Sequence, residues 1–259
     1  MNEENLEKYF QNVKIDDRVM VSGNLIDVPV RYPELSAVMG LFPISINAAK
    51  SLITVKRIKP VSILRGQCLL GITIFDFIEC PVGPYRELAL SIPVMLDQKI
   101  SIPFLPLVLR PLFKNFGFYT VLLAMNTEVG IGHSDKIFGY PTYQKKVEIE
   151  ITKSSSNIFI KAEENDKSII TMNMGMPQHY KFYQGNFNTY FTNRHRELIK
   201  VEMSTAHFMG YSIRKKNFKL EIGDSPISNI IKELKIKPVP LEYIHYRKAI
   251  EILSSPQEI

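Results

Sequence analysis

The sequence contains no tryptophan and only two cysteines, Cys68 and Cys80, among its 259 residues. No CxxC, HxH or HExxH spacing occurs, and the five histidines are dispersed, so no zinc-binding motif is present. Isolated cysteines in apolar surroundings are typical of buried thiols in a reducing compartment. We therefore expect no metal, no disulfide and a cytoplasmic location.

Long hydrophobic runs are also missing. The most apolar stretch, residues 100–113, is shorter than the roughly 20 residues of a transmembrane helix, and Pro103, Pro106 and Pro111 interrupt it. The first twelve residues are polar and charged, unlike a secretory signal. We expect no membrane partner. Residues 102–113 are expected to cover a pocket mouth or an oligomer interface, with ordinary core packing as the alternative.

The charge excess is modest, with a formal net charge of +6. The basic residues are scattered in short clusters, which indicates solvated faces and not a nucleic-acid surface. A mildly basic chain also favours carboxylate ligands. No GxSxG elbow or Walker A loop occurs, and the GxG at residues 130–132 lacks a third glycine.

Segments of strand length dominate the chain, separated by turn residues. We predict strands at 19–30, 68–78, 87–96, 118–125, 146–151, 158–162, 169–174, 199–208 and 218–222. Residues 153–157 read as a hairpin loop. Short helices are predicted at 33–39, 45–52, from Thr127 toward Ile137, and from Ser225 to Leu234. The fold class is therefore α+β, mainly antiparallel, with a closed or partly closed β-barrel and a few helices in one domain, 1–259.

Two segments carry chemical information. In Gly83-Pro84-Tyr85-Arg86-Glu87 a Gly-Pro turn feeds an apolar strand, with Glu87 near the start of that strand. Glu87 is either exposed beside the turn or directed into a barrel, where it can act as an acid or base. Gly139-Tyr140-Pro141-Thr142 stops a helix before the next strand.

Together these motifs resemble the acetoacetate decarboxylase superfamily, which shows a GPYxE turn followed by a glycine-aromatic-proline-lysine motif. Weaker similarity covers most of the chain. The resemblance implies a closed β-barrel, often in homo-oligomers, without a cofactor, and a pocket for a small β-keto acid or a related carbonyl or carboxylate compound. In the decarboxylase, a lysine forms an imine with the ketone.

Thr142 occupies the position of that lysine, and threonine cannot form an imine. Lys145 and Lys146 follow three residues later, so a short insertion is the alternative that would restore a lysine to the site. Against it, the ungapped match keeps Val147, Ile149 and Ile151 in strand register.

The resemblance leaves the other site residues less defined. A second carboxylate of the family falls near the apolar Ile72. Arg31, Arg65 and Arg86 are candidates for a substrate-carboxylate partner, with surface positions as the alternative. The aromatic candidates for substrate binding are Tyr85, Tyr140 and Tyr143.

The candidate catalytic residues are thus Glu87, Thr142, Lys145 and Lys146. We expect a lyase-type or acid/base enzyme without the usual imine lysine. The alternative is a non-catalytic protein that binds a small molecule in the barrel pocket.

Overall fold

A computed structural model describes residues 9–10, 13–64, 66–98, 102–109, 112–193, 195–212 and 217–259. Its largest feature is a closed barrel of seven strands. These are β3 (Val30–Ser45), β5 (Gln67–Glu79), β6 (Tyr85–Leu96), β7 (Phe116–Met125), β11 (Lys181–Thr192), β12 (Leu198–Ser212) and β14 (Glu242–Leu253). Their order is β11-β7-β6-β5-β3-β14-β12, and pairing of β11 with β12 closes the ring. All neighbours are antiparallel except β7 and β11, which run parallel.

A second antiparallel sheet covers one side of the barrel. It has the order β13-β10-β9-β8 and consists of β8 (Glu148–Lys153), β9 (Asn157–Glu164), β10 (Lys167–Gly175) and β13 (Phe218–Ile222). The remaining strands are short: β1 (Asp17–Val21) and β2 (Asn24–Val28) form a hairpin, β4 (Ile58–Pro60) pairs with β6, and β15 (Gln257–Glu258) pairs with β12.

Helices are few and short. Helix α1 (Ile46–Leu52) begins at the N-cap Ser45, and α2 (Leu105–Val108) is a single turn. Helix α3 (Glu128–His133) is capped by Thr127 and continues as a π-helical turn, Ser134–Phe138, that ends at Gly139 in the left-handed conformation. Helix α4 (Pro226–Glu233) begins with a capping box at Ser225. None of these helices, in the part of the chain that the structure describes, is long and apolar enough to cross a bilayer.

Alternation along the barrel strands separates two apolar layers. On β5, Leu70, Ile72 and Ile74 are buried against the second sheet, in one core with Ile160 of β9. The intervening side chains of β5, such as Phe75, face the barrel interior. One strand thus supplies both the core between the sheets and the wall of the interior.

The predicted fold class is confirmed, since the barrel is closed, mainly antiparallel and accompanied by few helices. The helices after Ser45, Thr127 and Ser225 and the 153–157 hairpin are confirmed as well. The helix predicted at 33–39 is wrong, because these residues belong to β3, where pairing with β5 and β14 overrides the local turn signal of Pro33. The strands β11 and β14 were not predicted, and β8 begins at Glu148, after Lys146.

Candidate active site

The barrel encloses a cavity of about 1160 Å³. Every one of the seven barrel strands contributes side chains to its wall, because odd and even positions of each strand alternate between the interior and the outside. Most of the wall is apolar or aromatic. The polar part of the wall includes hydroxyl groups, such as those of Thr73, Thr120 and Thr205, and two buried carboxyl groups, those of Glu87 and Glu251.

The mouth of the cavity lies where the barrel wall is incomplete. Residues 188–190 of β11 pair with β7, and the first half of β11 has no strand partner on that side among the residues that the structure describes. Residues 181–186 are exposed, and Tyr183 and Gly185 of this stretch line the cavity. Leu107 and Val108 of α2 lie on the opposite rim, with Val108 71% exposed.

Glu87 and Glu251 face this cavity from β6 and β14, and they are 7% and 6% exposed. Burial, and then the nearby charge of Glu251, raises the pKa of Glu87 to about 8. Burial raises the pKa of Glu251 to about 8 as well. Neither carboxyl forms an ion pair with any residue that the structure describes. Near neutral pH the pair therefore retains protons that exposed carboxyls would lose.

Tyr32 and His133 form a buried polar contact at the same end of the cavity. The Tyr32 hydroxyl lies 2.8 Å from His133 Nε2, and His133 Nδ1 has no partner among the described residues. Burial lowers the pKa of His133 to about 4, so its imidazole is neutral at pH 7. Burial also raises the pKa of Tyr32 well above its usual value. This pair is suited to holding a hydroxyl in place, and not to supplying a charge.

Aromatic rings complete this end of the cavity. Tyr32 and Tyr85 both pack on Phe77, with ring centroids 5.0 and 4.5 Å from that ring. The Tyr140 hydroxyl lies 2.8 Å from Thr189 Oγ1, so a polar contact joins the segment after the π-helical turn to β11. Tyr85 and Tyr140, both predicted from the sequence as binding residues, line the cavity with Glu87.

Thr142 lies behind the cavity wall. It forms an isolated bridge with Leu123, and its hydroxyl lies 3.4 Å from the Ser134 hydroxyl. Leu123 and Ser134 line the cavity, whereas Thr142 does not. The position predicted for the imine lysine is therefore adjacent to the site and carries no amine.

Lys145 and Lys146 lie on the surface and not in the cavity. The Lys145 ammonium is 3.7 Å from Glu164 and 69% exposed, and the Lys146 ammonium is 3.5 Å from Glu128 and 57% exposed. Tyr143 donates a 2.6 Å hydrogen bond to the same Glu164, which fixes this segment to the second sheet. The structure does not bring these side chains together with Glu87.

Two of the three arginine candidates, Arg31 and Arg86, lie outside the cavity wall. Arg31 donates to the Val13 carbonyl at 2.9 Å. Arg86 faces the second sheet, where it pairs with Asp76 at 3.0 Å and donates to the Ile149 carbonyl. Arg65 lies outside the described residues. No described arginine therefore lines the cavity.

Two lysines do line the cavity, and both belong to its periphery. Lys114 precedes β7, and Lys200 forms a 2.6 Å ion pair with Glu202. Thr205 of β12 is the partner of Glu251 in the pairing of β12 with β14. Lys200 lies five residues from Thr205 along β12, a distance of about 16 Å at the usual rise of a strand. An imine requires a neutral amine, and the ammonium of Lys200 is engaged by a carboxylate.

The sequence analysis did not identify Glu251 or the Tyr32–His133 pair. Glu251 stands between Ile250 and Ile252 in an apolar run. Period-two alternation in this run was the signal that could have predicted a strand carrying Glu251. His133 precedes the helix-ending motif at residues 139–142 by less than two helical turns. That closeness in sequence alone was too weak to predict His133 as a site residue.

Comparison with known proteins places the fold. No family model matches the chain, and no curated protein matches it. Among solved structures, an acetoacetate decarboxylase superposes with a TM-score of 0.63 at 15% identity over 89% of each chain. The acetoacetate decarboxylase of Legionella pneumophila gives 0.61 at 12% identity, covering 97% of this chain and 94% of that one. The enduracididine biosynthesis enzyme MppR, complexed with pyruvate, gives 0.61 at 9% identity, covering 89% and 90%. The chain therefore has the acetoacetate decarboxylase-like fold that the motifs at residues 83–87 and 139–142 predicted.

Proposed function

We propose that this protein is an acid/base enzyme that acts on a carbonyl compound in the barrel cavity without an imine-forming lysine. The observation that carries the proposal is the pair of buried carboxyls, Glu87 and Glu251, which face one cavity and have raised pKa values. Perturbed pKa values in a cavity are typical of groups that transfer protons. A carboxylic acid that stays neutral near pH 7 can donate to a carbonyl oxygen.

The chemistry follows from the shared site. Two interacting carboxyls lose their protons in two steps, so over an intermediate pH range the pair holds a single proton. The protonated carboxyl then donates its proton to the carbonyl oxygen of the ligand. The ionised carboxyl removes a proton from the carbon next to that carbonyl, and the product is an enol. With a β-keto acid, the same donation accompanies cleavage of the carbon–carbon bond, which releases CO₂ and leaves the enol.

The neighbouring side chains support this assignment. Tyr32 is held by the neutral His133, so its hydroxyl has a fixed position near the carboxyl pair. Tyr85 packs beside it on Phe77. Thr142, Lys145 and Lys146 supply no amine to the cavity, so an imine has no evident nucleophile among the described residues near Glu87.

A second candidate function is binding without catalysis. The size of the cavity and its many apolar and aromatic side chains favour it, because such cavities are typical of ligand-binding proteins. The two functions differ in one measurable property, the exchange of protons at a bound ketone.

The test is deuterium exchange at the α-carbon of 2-butanone in D₂O buffer, followed by proton NMR. Wild-type protein should accelerate the exchange, and Glu87→Gln and Glu251→Gln should each lower the accelerated rate by about 10²-fold or more. Glu79→Gln, an exposed carboxyl on β5, is the matched control and should leave the rate unchanged. A ketone that binds without accelerated exchange would establish the binding protein, and exchange unaffected by both variants would refute the carboxyl pair.

A further inference from the structure

We infer that the ligand has an extended apolar body, of the size of a medium-length acyl chain or a ring system, with its carbonyl at the Glu87–Glu251 pair. The placement of the carbonyl rests on the proposed function. The apolar body is argued separately, from the volume, the length and the wall of the cavity.

The volume is too large for a four-carbon keto acid. Such a ligand occupies on the order of 100 Å³, a few times the space of one water molecule. The cavity holds about 1160 Å³, above the upper end of the range for drug-sized ligands. A small polar ligand would leave most of this space to water against apolar side chains, which opposes tight binding.

The cavity is also elongated. Its lining follows β7 from Leu123, next to the Glu87 end, to Phe116 at the start of the strand. Seven strand residues correspond to roughly 23 Å, before the curvature of the barrel is considered. A ligand that lies along β7 from Leu123 to Phe116 therefore spans many carbon–carbon bonds.

Aromatic rings form much of the wall along β7, where the hydroxyl of Thr120 also lines the cavity. Phe116, Phe118 and Phe187 form an edge-to-face series, with successive ring centroids 5.7 and 5.8 Å apart. Leu107 and Phe113 pack against this series and line the cavity toward the mouth. Contact with such a wall is favourable for methylene groups or rings and unfavourable for a charged group.

Apolar side chains are also exposed at the mouth of the cavity. Val108, on its rim, is 71% exposed, and Leu109 and Leu112 beside it are 39% and 75% exposed. An apolar segment that reaches from the carbonyl end to this rim would cover part of the exposed surface. Lys114, which precedes β7 and lines the cavity, can contact a polar end of the ligand.

The experiment measures the affinity of neutral 2-alkanones of increasing length, from 2-butanone to 2-nonanone, by isothermal titration calorimetry. Each fully buried methylene should tighten binding by about fourfold, so five methylenes should give a gain of up to about 1,000-fold. An affinity that is flat with length, or highest for 2-butanone, would overturn the inference.

A variant that fills the cavity gives the specificity control. Gly185 of β11 lines the cavity, and a Cβ placed there meets no atom within 4 Å. Gly185 pairs with Thr205, the partner of Glu251, so Gly185→Leu should weaken binding of 2-nonanone by at least about tenfold. Lys181→Leu, at an exposed position on the same strand that does not line the cavity, should leave the affinity unchanged. An unchanged affinity for 2-nonanone in Gly185→Leu would show that the alkyl chains bind elsewhere, and would also overturn the inference.

The two proposals fail separately. If affinity rises with length but no α-exchange is catalysed, the apolar body stands and the proposed acid/base function falls. If the α-protons of 2-butanone are exchanged in a Glu87-dependent manner while affinity does not change with the length of the 2-alkanone, the proposed function stands and this inference falls.

Discussion

Replacing Glu87 by glutamine should stabilise the protein in alkaline solution and leave it nearly unchanged in acid. The pKa of this carboxyl is about 8 in the folded protein, against 4.5 for an ordinary glutamate. Between these values the folded state binds more protons than the unfolded state, so stability is highest at the acidic end and falls as pH rises toward 8. One pKa unit corresponds to about 1.4 kcal/mol. Ionisation of Glu87 should therefore lower the free energy of unfolding by about 4 kcal/mol between pH 5 and pH 8.5.

Urea unfolding at several pH values measures this contribution. Glutamine has the shape of the protonated carboxyl, so Glu87→Gln and wild type should agree within about 1 kcal/mol at pH 5. At pH 8.5 the variant should be more stable by about 4 kcal/mol. Far-UV circular dichroism reports the unfolding of this strand-rich chain, and the exposed Glu79→Gln is the control. A difference between variant and wild type that does not change with pH would refute the buried, raised-pKa carboxyl.

Three further predictions concern other parts of the structure. Tyr32→Phe should lower the free energy of unfolding by about 1–3 kcal/mol, because it leaves the buried Nε2 of His133 without its partner, and urea titration at pH 7 measures the loss. Ile72→Ala should cost about 2–5 kcal/mol in the same assay, since this side chain is fully buried between barrel and second sheet. Lys145→Ala and Lys146→Ala should each change stability by less than about 0.5 kcal/mol, and borohydride with acetoacetate should leave no adduct on either lysine by peptide mass mapping.

The sequence predicted the fold wherever a strand carries its own signal. β5, β6 and β7 are apolar runs beside turn residues, and each was predicted within two residues at either end. The first half of β11, in contrast, is exposed and polar, because it borders the mouth and has no partner on one side. In β14, Arg247 and Lys248 interrupt the apolar pattern at the point where the pairing with β3 shifts register. Closure of the barrel depends on these two strands and on β3, which was predicted in part as a helix, so local pattern alone predicted a barrel but not three of its strands.

The site residues also divide into those with a local sequence signal and those placed by long-range strand pairing. Glu87 follows a recognisable turn and could be singled out, whereas Glu251 reaches the cavity only because β14 pairs with β3 and β12. That juxtaposition is a property of long-range pairing and has no local signature beyond one carboxyl in an apolar run. Lys145 and Lys146 mislead for the opposite reason: they are close in sequence to the motif at residues 139–142, but they precede β8 on the surface.

The threonine at position 142 and the raised carboxyl pKa values are physically connected. An ammonium beside Glu87 would favour its ionised form and hold its pKa down. With Thr142 behind the wall, and Lys114 and Lys200 at the periphery, no described cation lies at the Glu87 end of the cavity to oppose the effect of burial. Because Glu251 adds a second carboxyl, ionisation of Glu87 becomes harder still. A buried carboxyl without a neighbouring ammonium stays neutral to higher pH, and in that form it can donate a proton.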